Sequence, residues 1–261
     1  MQNMIYAAAI LGGIGLLFGL MLALASRIFN AEADDRIPLV SEALPGVNCG
    51  GCGKSGCAAF AAAVVEGGAP VNGCPVGGES TTKELARIMG LEVLESVRTS
   101  AYVRCSGGTR AHRKYAYDGL LDCFSATRLN GGPLECGYGC VGLGECVNAC
   151  RFGAIRLDGG VAVVDREDCT ACGMCVSACP RGLIEMIPYG SACAVSCVSK
   201  DRGNITRGAC EAGCVGCGLC EKACGTDAVH VVDNMSLIEY NKCTDCGVCI
   251  AACPRKTIKP L

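Results

Sequence analysis

Twenty-five cysteines stand in a chain of 261 residues, and most of them repeat one spacing. Cys169-x2-Cys172-x2-Cys175-x3-Cys179-Pro180 is followed by Cys243-x2-Cys246-x2-Cys249-x3-Cys253-Pro254. Three thiolates at this spacing let a short loop hold one [4Fe-4S] cube, while the fourth cysteine, a helical turn on, ligates a neighbouring cube. The chemistry is one-electron transfer. A disulfide scaffold competes for any cysteine-rich chain, but the count is odd and the cysteines crowd too closely to pair in good geometry. Zinc competes as well, yet zinc sites use two separated pairs rather than three cysteines closed by Cys-Pro.

Each motif has a companion upstream. Cys210-x3-Cys214-x2-Cys217-x2-Cys220-x3-Cys224 leads through Ala228-Val229 and a turn at Asp233-Asn234 to the Cys243 motif. Cys136-x3-Cys140-x5-Cys146-x3-Cys150 leads through Ala154-Ile155 and a turn at Gly159-Gly160 to the Cys169 motif. The chain thus repeats a ferredoxin unit, a pair of cluster loops with hairpins and short helices between. Crossing over of the fourth cysteine predicts two ligand sets in the second unit: Cys214, Cys217, Cys220 with Cys253, and Cys243, Cys246, Cys249 with Cys224. In the first unit it predicts Cys169, Cys172, Cys175 with Cys150. The remaining loop departs from the rule, because Leu143 stands where Cys217 stands in the repeat. Either Cys136 supplies the missing thiolate, giving Cys136, Cys140, Cys146 with Cys179, or the site has three thiolates and holds a [3Fe-4S] cluster. Cys150 and Cys224 lack the following proline, which leaves their local geometry open.

A further motif, Cys49-x2-Cys52-x4-Cys57-x16-Cys74-Pro75, has four thiolates for one cube, with Gly50, Gly51 and Gly53 forming a tight loop. Five [4Fe-4S] clusters are expected in all. Cys105, Cys123, Cys193, Cys197 and Cys210 are left over. Buried, inert thiols are the plain reading, although Val103-Arg-Cys105 and Val195-Ser-Cys197 occupy matching places before the two units. A sixth cluster would have no recognisable spacing.

The elements that position these thiols must be small. With no Trp, five Phe and 37 Gly, the chain cannot fill a large conventional core, so clusters stand in for one and metal loss should unfold the modules. The expected fold class is α+β, in small metal-dominated modules. Residues 1–28 form a transmembrane anchor, 29–45 a polar linker broken by Pro38 and Pro45, and 46–98 an N-terminal [4Fe-4S] domain. Residues 99–134 connect to a first 2[4Fe-4S] ferredoxin unit at 135–190, and 191–209 connect to a second at 210–261. Within the N-terminal domain a buried helix runs from Cys57 to Glu66, and Thr81-x2-Glu84 predicts a capping box opening a helix at Thr82–Met89.

No side chain from Met1 to Ser26 is charged, and Ile5–Ala25 matches the roughly 20 apolar residues that cross a bilayer. A cleaved signal peptide is the competing reading, helped by Ala23-Leu24-Ala25, but no basic residue precedes the apolar run. Arg27 and Arg36 after it place the soluble part in the cytoplasm by the positive-inside bias, where thiols also stay reduced. Gly15-x3-Gly19 permits close approach of a second helix.

Net charge is −2, without the basic excess of a nucleic-acid binder. No Gly-rich dinucleotide loop follows a strand, and His112 and His230 alone make no general-base array, so no catalytic residue is expected. Arg104, Arg110, His112, Arg113 and Lys114 form one basic stretch, and Arg255, Lys256 and Lys259 another. Either could dock an acidic electron donor, or both are solvated loops.

From the anchor through Leu44-Pro-Gly-Val-Asn-Cys-Gly-Gly-Cys-Gly-Lys-Ser-Gly-Cys57 and Gly73-Cys-Pro-Val-Gly-Gly78 to the ferredoxin repeats, the chain resembles the B subunit of the Rnf complex. That complex is the ion-translocating ferredoxin:NAD oxidoreductase. The resemblance implies an electron-transfer subunit in the cytoplasmic (inner) membrane that takes electrons from soluble ferredoxin. It would pass them to membrane subunits carrying flavins and further clusters, and ultimately to NAD. The alternatives are a membrane-tethered polyferredoxin serving a hydrogenase or other reductase without ion pumping, and a redox-sensing or iron-storage protein.

Overall fold

The computed structural model describes residues 2–28, 34–93 and 97–261. Helix α1 spans Gln2–Ile28, 27 residues long. Its described side chains between Tyr6 and Leu24 are largely exposed apolar groups, among them Ile10, Leu17, Phe18 and Leu22. Among the described residues no helix is long and apolar enough to cross a membrane, and several side chains of α1, including 3–5 and 7–9, lie outside that description. Residues 29–33 of the expected linker also lie outside it.

The rest of that linker is a helix. Helix α2 (Arg36–Ala43) carries Pro38 in its first turn, where no intrahelical amide bond is required of it. Ile37, Val40 and Leu44 recur at helical spacing, and Val40 is fully buried against α3 (Cys57–Val65) and α4 (Gly78–Met89). Helix α3 ends before Gly67, whose φ is +76°, as its sequence requires. Helix α4 begins a turn earlier than the expected capping box, so Thr81 and Thr82 are interior residues. The Thr82 hydroxyl donates to the Gly78 carbonyl at 2.9 Å, and Glu84 pairs with Arg87 instead of capping. These three helices enclose Phe60, Val64, Val71 and Leu85, a small core that Cys52, Cys57 and Cys74 pack against.

Two like units follow. In the first, β1 (Thr99–Val103) is followed by a single 3-10 turn at Gly108–Arg110 and by α5 (Cys123–Arg128), whose cap residue Asp122 accepts from the Ser125 amide. Then come α6 (Glu145–Ala149), the hairpin β2 (Ile155–Asp158) and β3 (Val161–Val164), α7 (Met174–Ala178) and β4 (Ile184–Pro188). The second unit repeats this as β5 (Cys193–Val195), α8 (Gly203–Ala209), α9 (Leu219–Ala223), β6 (Val229–Val232), β7 (Met235–Ile238), α10 (Val248–Ala252) and β8 (Ile258–Pro260). All strand pairs are antiparallel. The hairpins pair Ile155 with Val164 and Val229 with Ile238, and they turn at the expected Gly159-Gly160 and Asp233-Asn234.

The strands found in the connecting segments close the units. β1 pairs with β4, Val103 opposite Ile184, and β5 pairs with β8, Val195 opposite Ile258. Each unit is therefore a sheet of two distant strands and a local hairpin around an apolar centre, lined in the first by Ile155, Val161, Leu183 and Ile184.

Candidate iron-sulfur sites

The four ferredoxin loops share one backbone path. Two residues after the first cysteine the chain turns left-handed, at Gly142 (φ +73°), Ala171 (+59°), Gly216 (+64°) and Asp245 (+54°). Two residues further on it does so again, at Gly144, Gly173, Gly218 and Gly247, each of which caps a five-residue helix. Glycine suits these turns because a Cβ opposes positive φ. The loop that has Leu143 in place of a cysteine keeps the same path. At the far ends, Cys150 and Cys224 adopt φ −83°, ψ 104° and φ −82°, ψ 112°, the conformation of Cys179 and Cys253. The geometry that proline imposes on a preceding residue is thus reached without it.

Beside these loops two cavities are each lined by four cysteines. Cys150, Cys169, Cys172 and Cys175 line one small cavity, and Cys214, Cys217, Cys220 and Cys253 another. Both are the sets that crossing over predicts. In the remaining set of the second unit, Cys224 and Cys249 share an apolar core, Cys243 neighbours Cys249, and Cys246 is exposed. In the N-terminal module burial raises the Cys74 thiol, and the nearby thiols of Cys49 and Cys57 add to the rise. Asn48 Oδ1 accepts from the Cys57 amide at 2.8 Å and ties the start of that loop to α3.

Cys136 departs from its expected place. It lines a small apolar cavity with Cys105, Cys197 and Cys210 rather than joining Cys140, Cys146 and Cys179. Burial first, then the neighbouring thiols of Cys140, Cys179 and Cys123, push Cys146 up to about 12. Cys123, at the start of α5 and buried, is a further thiol near Cys146. Spacing could not reveal it, since it comes from outside the repeated motif.

Sulfur atoms in these sites accept backbone amides. Leu183, Ala228 and Thr257 donate to Cys179, Cys224 and Cys253 at 3.3–3.4 Å, each from four residues on. Ala101 donates to Cys169 at 3.4 Å. Burial raises Cys253, but the amides of Ile258, Thr257 and Arg255 outweigh it and lower the thiol overall. Such donors stabilise thiolate charge and tune iron-sulfur centres. Among the described residues no three His, Cys, Asp or Glu side chains converge tightly enough for a single ion. Four cysteines around an apolar cavity, as in these two sets, fit a cube.

The modules touch at their cysteine loops. A Cβ on Gly51 would lie 2.6 Å from the Cys172 carbonyl oxygen, so the loop of the N-terminal motif rests directly on that of the first unit. Arg151 Nη1 approaches the Asn48 carbonyl at 3.5 Å across the same contact.

The basic stretches divide. The Arg104 side chain is 12 % exposed and pairs with Glu185 at 3.2 Å. Arg255 donates to the carbonyls of Cys210 and Gly213, as Arg181 does to those of Cys136 and Gly139. Those arginines build the fold. Arg110, His112, Arg113, Lys114 and Lys256 are exposed.

Residues 44–76 match the family described as "Putative Fe-S cluster", and residues 136–183 and 213–258 each match a "4Fe-4S dicluster domain". The chain is 44 % identical over 251 residues to the B subunit of the Na(+)-translocating ferredoxin:NAD(+) oxidoreductase complex of Acetobacterium woodii, covering 95 % of this chain and 75 % of that one. It is 43 % identical to the B subunit of the ion-translocating oxidoreductase complex of Methanosarcina acetivorans over 98 % of both chains. The B subunit of the proton-translocating ferredoxin:NAD(+) oxidoreductase complex of Clostridium ljungdahlii is 40 % identical over 100 % of this chain and 94 % of its own. The chain belongs to the family of B subunits of ion-translocating oxidoreductase complexes, the B subunit of the Rnf complex.

Proposed function

We propose that this chain is the electron-transfer subunit of a membrane-bound ion-translocating ferredoxin:NAD oxidoreductase. It takes electrons from reduced ferredoxin and relays them, one at a time, toward flavin- and cluster-bearing membrane subunits and NAD. The observation that carries the reading is the contact of cysteine loops from different modules, Gly51 against Cys172, which supports sites arranged in series. Near-full-length likeness to subunits whose names specify ion translocation favours this over a polyferredoxin serving a hydrogenase.

Five [4Fe-4S] clusters are proposed, one in the N-terminal motif and four at the ferredoxin loops. Their ligands are Cys49, Cys52, Cys57 and Cys74; Cys150, Cys169, Cys172 and Cys175; Cys123, Cys140, Cys146 and Cys179; Cys214, Cys217, Cys220 and Cys253; and Cys224, Cys243, Cys246 and Cys249. Bound clusters supply the redox chemistry. The protein's part is to fix their positions, exclude water and aim amides at the thiolates. The paired strands support extending the first unit to include 99–103 and the second to include 193–195.

Helix α1 is the anchor of this reading, resting on the uncharged run of its sequence, with the cluster modules on the cytoplasmic side. Arg110, Arg113 and Lys114 are the docking surface for an acidic ferredoxin, since complementary charge speeds encounter. Anaerobic stopped-flow mixing of the reconstituted chain with reduced ferredoxin tests the reading. Rapid bleaching of the chain's cluster absorbance is expected; clusters that stay oxidised would contradict it.

A further inference from the structure

Three of the cysteines outside the repeated motifs, Cys105, Cys197 and Cys210, meet Cys136 around one cavity at the junction of the two units. None of the three lies in a segment matched by a family model. The four are two equivalent pairs. Cys105 and Cys197 each follow the first strand of a unit, and the residue before each donates its amide to a matching carbonyl, Arg104 to Leu183 at 2.7 Å and Ser196 to Thr257 at 2.8 Å. Cys136 and Cys210 each stand four residues before a cluster loop, and each has its carbonyl held by the arginine after a Cys-Pro pair, Arg181 or Arg255. Each repeat therefore presents half of one site. The halves are clamped together by backbone bonds, His112 to the Ala209 carbonyl and Glu211 to the Arg110 carbonyl, both at 3.0 Å.

The site has the features of the recognised cluster sites. Its walls, like those of the two ferredoxin sets, are almost wholly apolar. Its sulfurs face backbone amides, Ser199 donating to Cys197 and Cys140 to Cys105, both at 3.4 Å. A Cβ built on Gly107 would meet Cys210 Sγ at 3.4 Å and Cys105 Sγ at 3.7 Å, so glycine is what lets the backbone close over both sulfurs. The buried Ser106 hydroxyl and Arg104 Nε line this cavity with no hydrogen-bond partner among the described residues, as Thr170 Oγ1 does in the Cys150, Cys169, Cys172, Cys175 cavity. Polar groups left unpaired in dry cavities are costly unless something there accepts from them, and cluster sulfides would.

We propose that Cys105, Cys136, Cys197 and Cys210 hold a sixth [4Fe-4S] cluster, built half from each ferredoxin unit, that bridges the two units. The Cys140 amide reaches into the site from a loop of the first unit, and Cys214 faces Cys197 from a loop of the second. An electron leaving either unit thus finds its next carrier at the junction, with no bond made or broken. Of the 25 cysteines only Cys193 then lies outside a set of four, its sulfur 3.9 Å from that of Cys249.

The test is iron, acid-labile sulfide and zinc per chain in the anaerobically prepared full-length protein. About 24 iron and 24 sulfide, with no zinc, are expected, falling to about 20 in the Cys105→Ser/Cys197→Ser double variant and staying near 24 in Cys193→Ala. A wild-type total near 20 iron leaves the five-cluster reading standing and overturns the sixth site, whether or not the double variant folds. One zinc per chain that is lost from the double variant overturns it as well.

Discussion

Removing Cys123 and restoring a thiol at position 143 should exchange one iron ligand for another. Leu143 stands between left-handed turns at Gly142 and Gly144, as Cys172, Cys217 and Cys246 stand between theirs, so a cysteine there leaves the backbone in the direction the other three take. Cys123→Ser alone strips one corner of the cube bound by Cys140, Cys146 and Cys179. About one iron per chain is lost, and the EPR signal of an oxidised three-iron cluster appears. Adding Leu143→Cys returns the iron and abolishes the signal. The exchange removes about two half-buried methylene equivalents of Leu143 and should lower stability by only ~1 kcal/mol, too little to mask the result. Iron analysis and EPR of the single and double variants make the assay. If Leu143→Cys rescues Cys136→Ser and fails to rescue Cys123→Ser, the sorting of thiols argued from the structure is wrong.

Gly51→Ala forces a methyl to within 2.6 Å of the Cys172 carbonyl. Overpacking against backbone costs about 1–3 kcal/mol, so hydrogen exchange should rise across 49–53 and 170–173 while iron content holds; unchanged protection would contradict the docking. Arg181→Met abandons the carbonyls of Cys136, Gly139 and Gly131. It should destabilise the first unit by roughly 1–3 kcal/mol, seen as a lower unfolding temperature, with Arg255→Met acting likewise on the second. Charge reversal at Arg110, Arg113 and Lys114 should slow reduction by ferredoxin and flatten its salt dependence; unchanged kinetics would exclude that patch.

Spacing along the chain made the ferredoxin loops legible because their geometry is local. Left-handed turns at Ala171 and Gly173 and a five-residue helix carry Cys169 to Cys179 along a fixed path, and the crossing fourth cysteine lies within reach of its twin loop. The proposed roles of Cys123 and Cys105 were not legible, since tertiary packing brings them beside the other cysteines from well outside the motif. Two signals could have shown the junction site: the matching Val-x-Cys at 103–105 and 195–197, and arginine after each Cys-Pro at 181 and 255. Helix α2 was hidden by Pro38, although Ile37, Val40 and Leu44 already spelled a helical stripe. At Thr81 the capping-box pattern was real as a pattern, but Gly78 and the turn after Cys74 start the helix a turn earlier, leaving the threonine hydroxyls to bond within it.

Cysteine sites from separate modules would form one continuous electron path. Low-temperature EPR of the fully reduced full-length chain tests it most directly. A spectrum broadened by spin coupling between neighbouring centres, integrating to about six spins per chain, is predicted. A sum of sharp, uncoupled signals from isolated clusters would contradict the account.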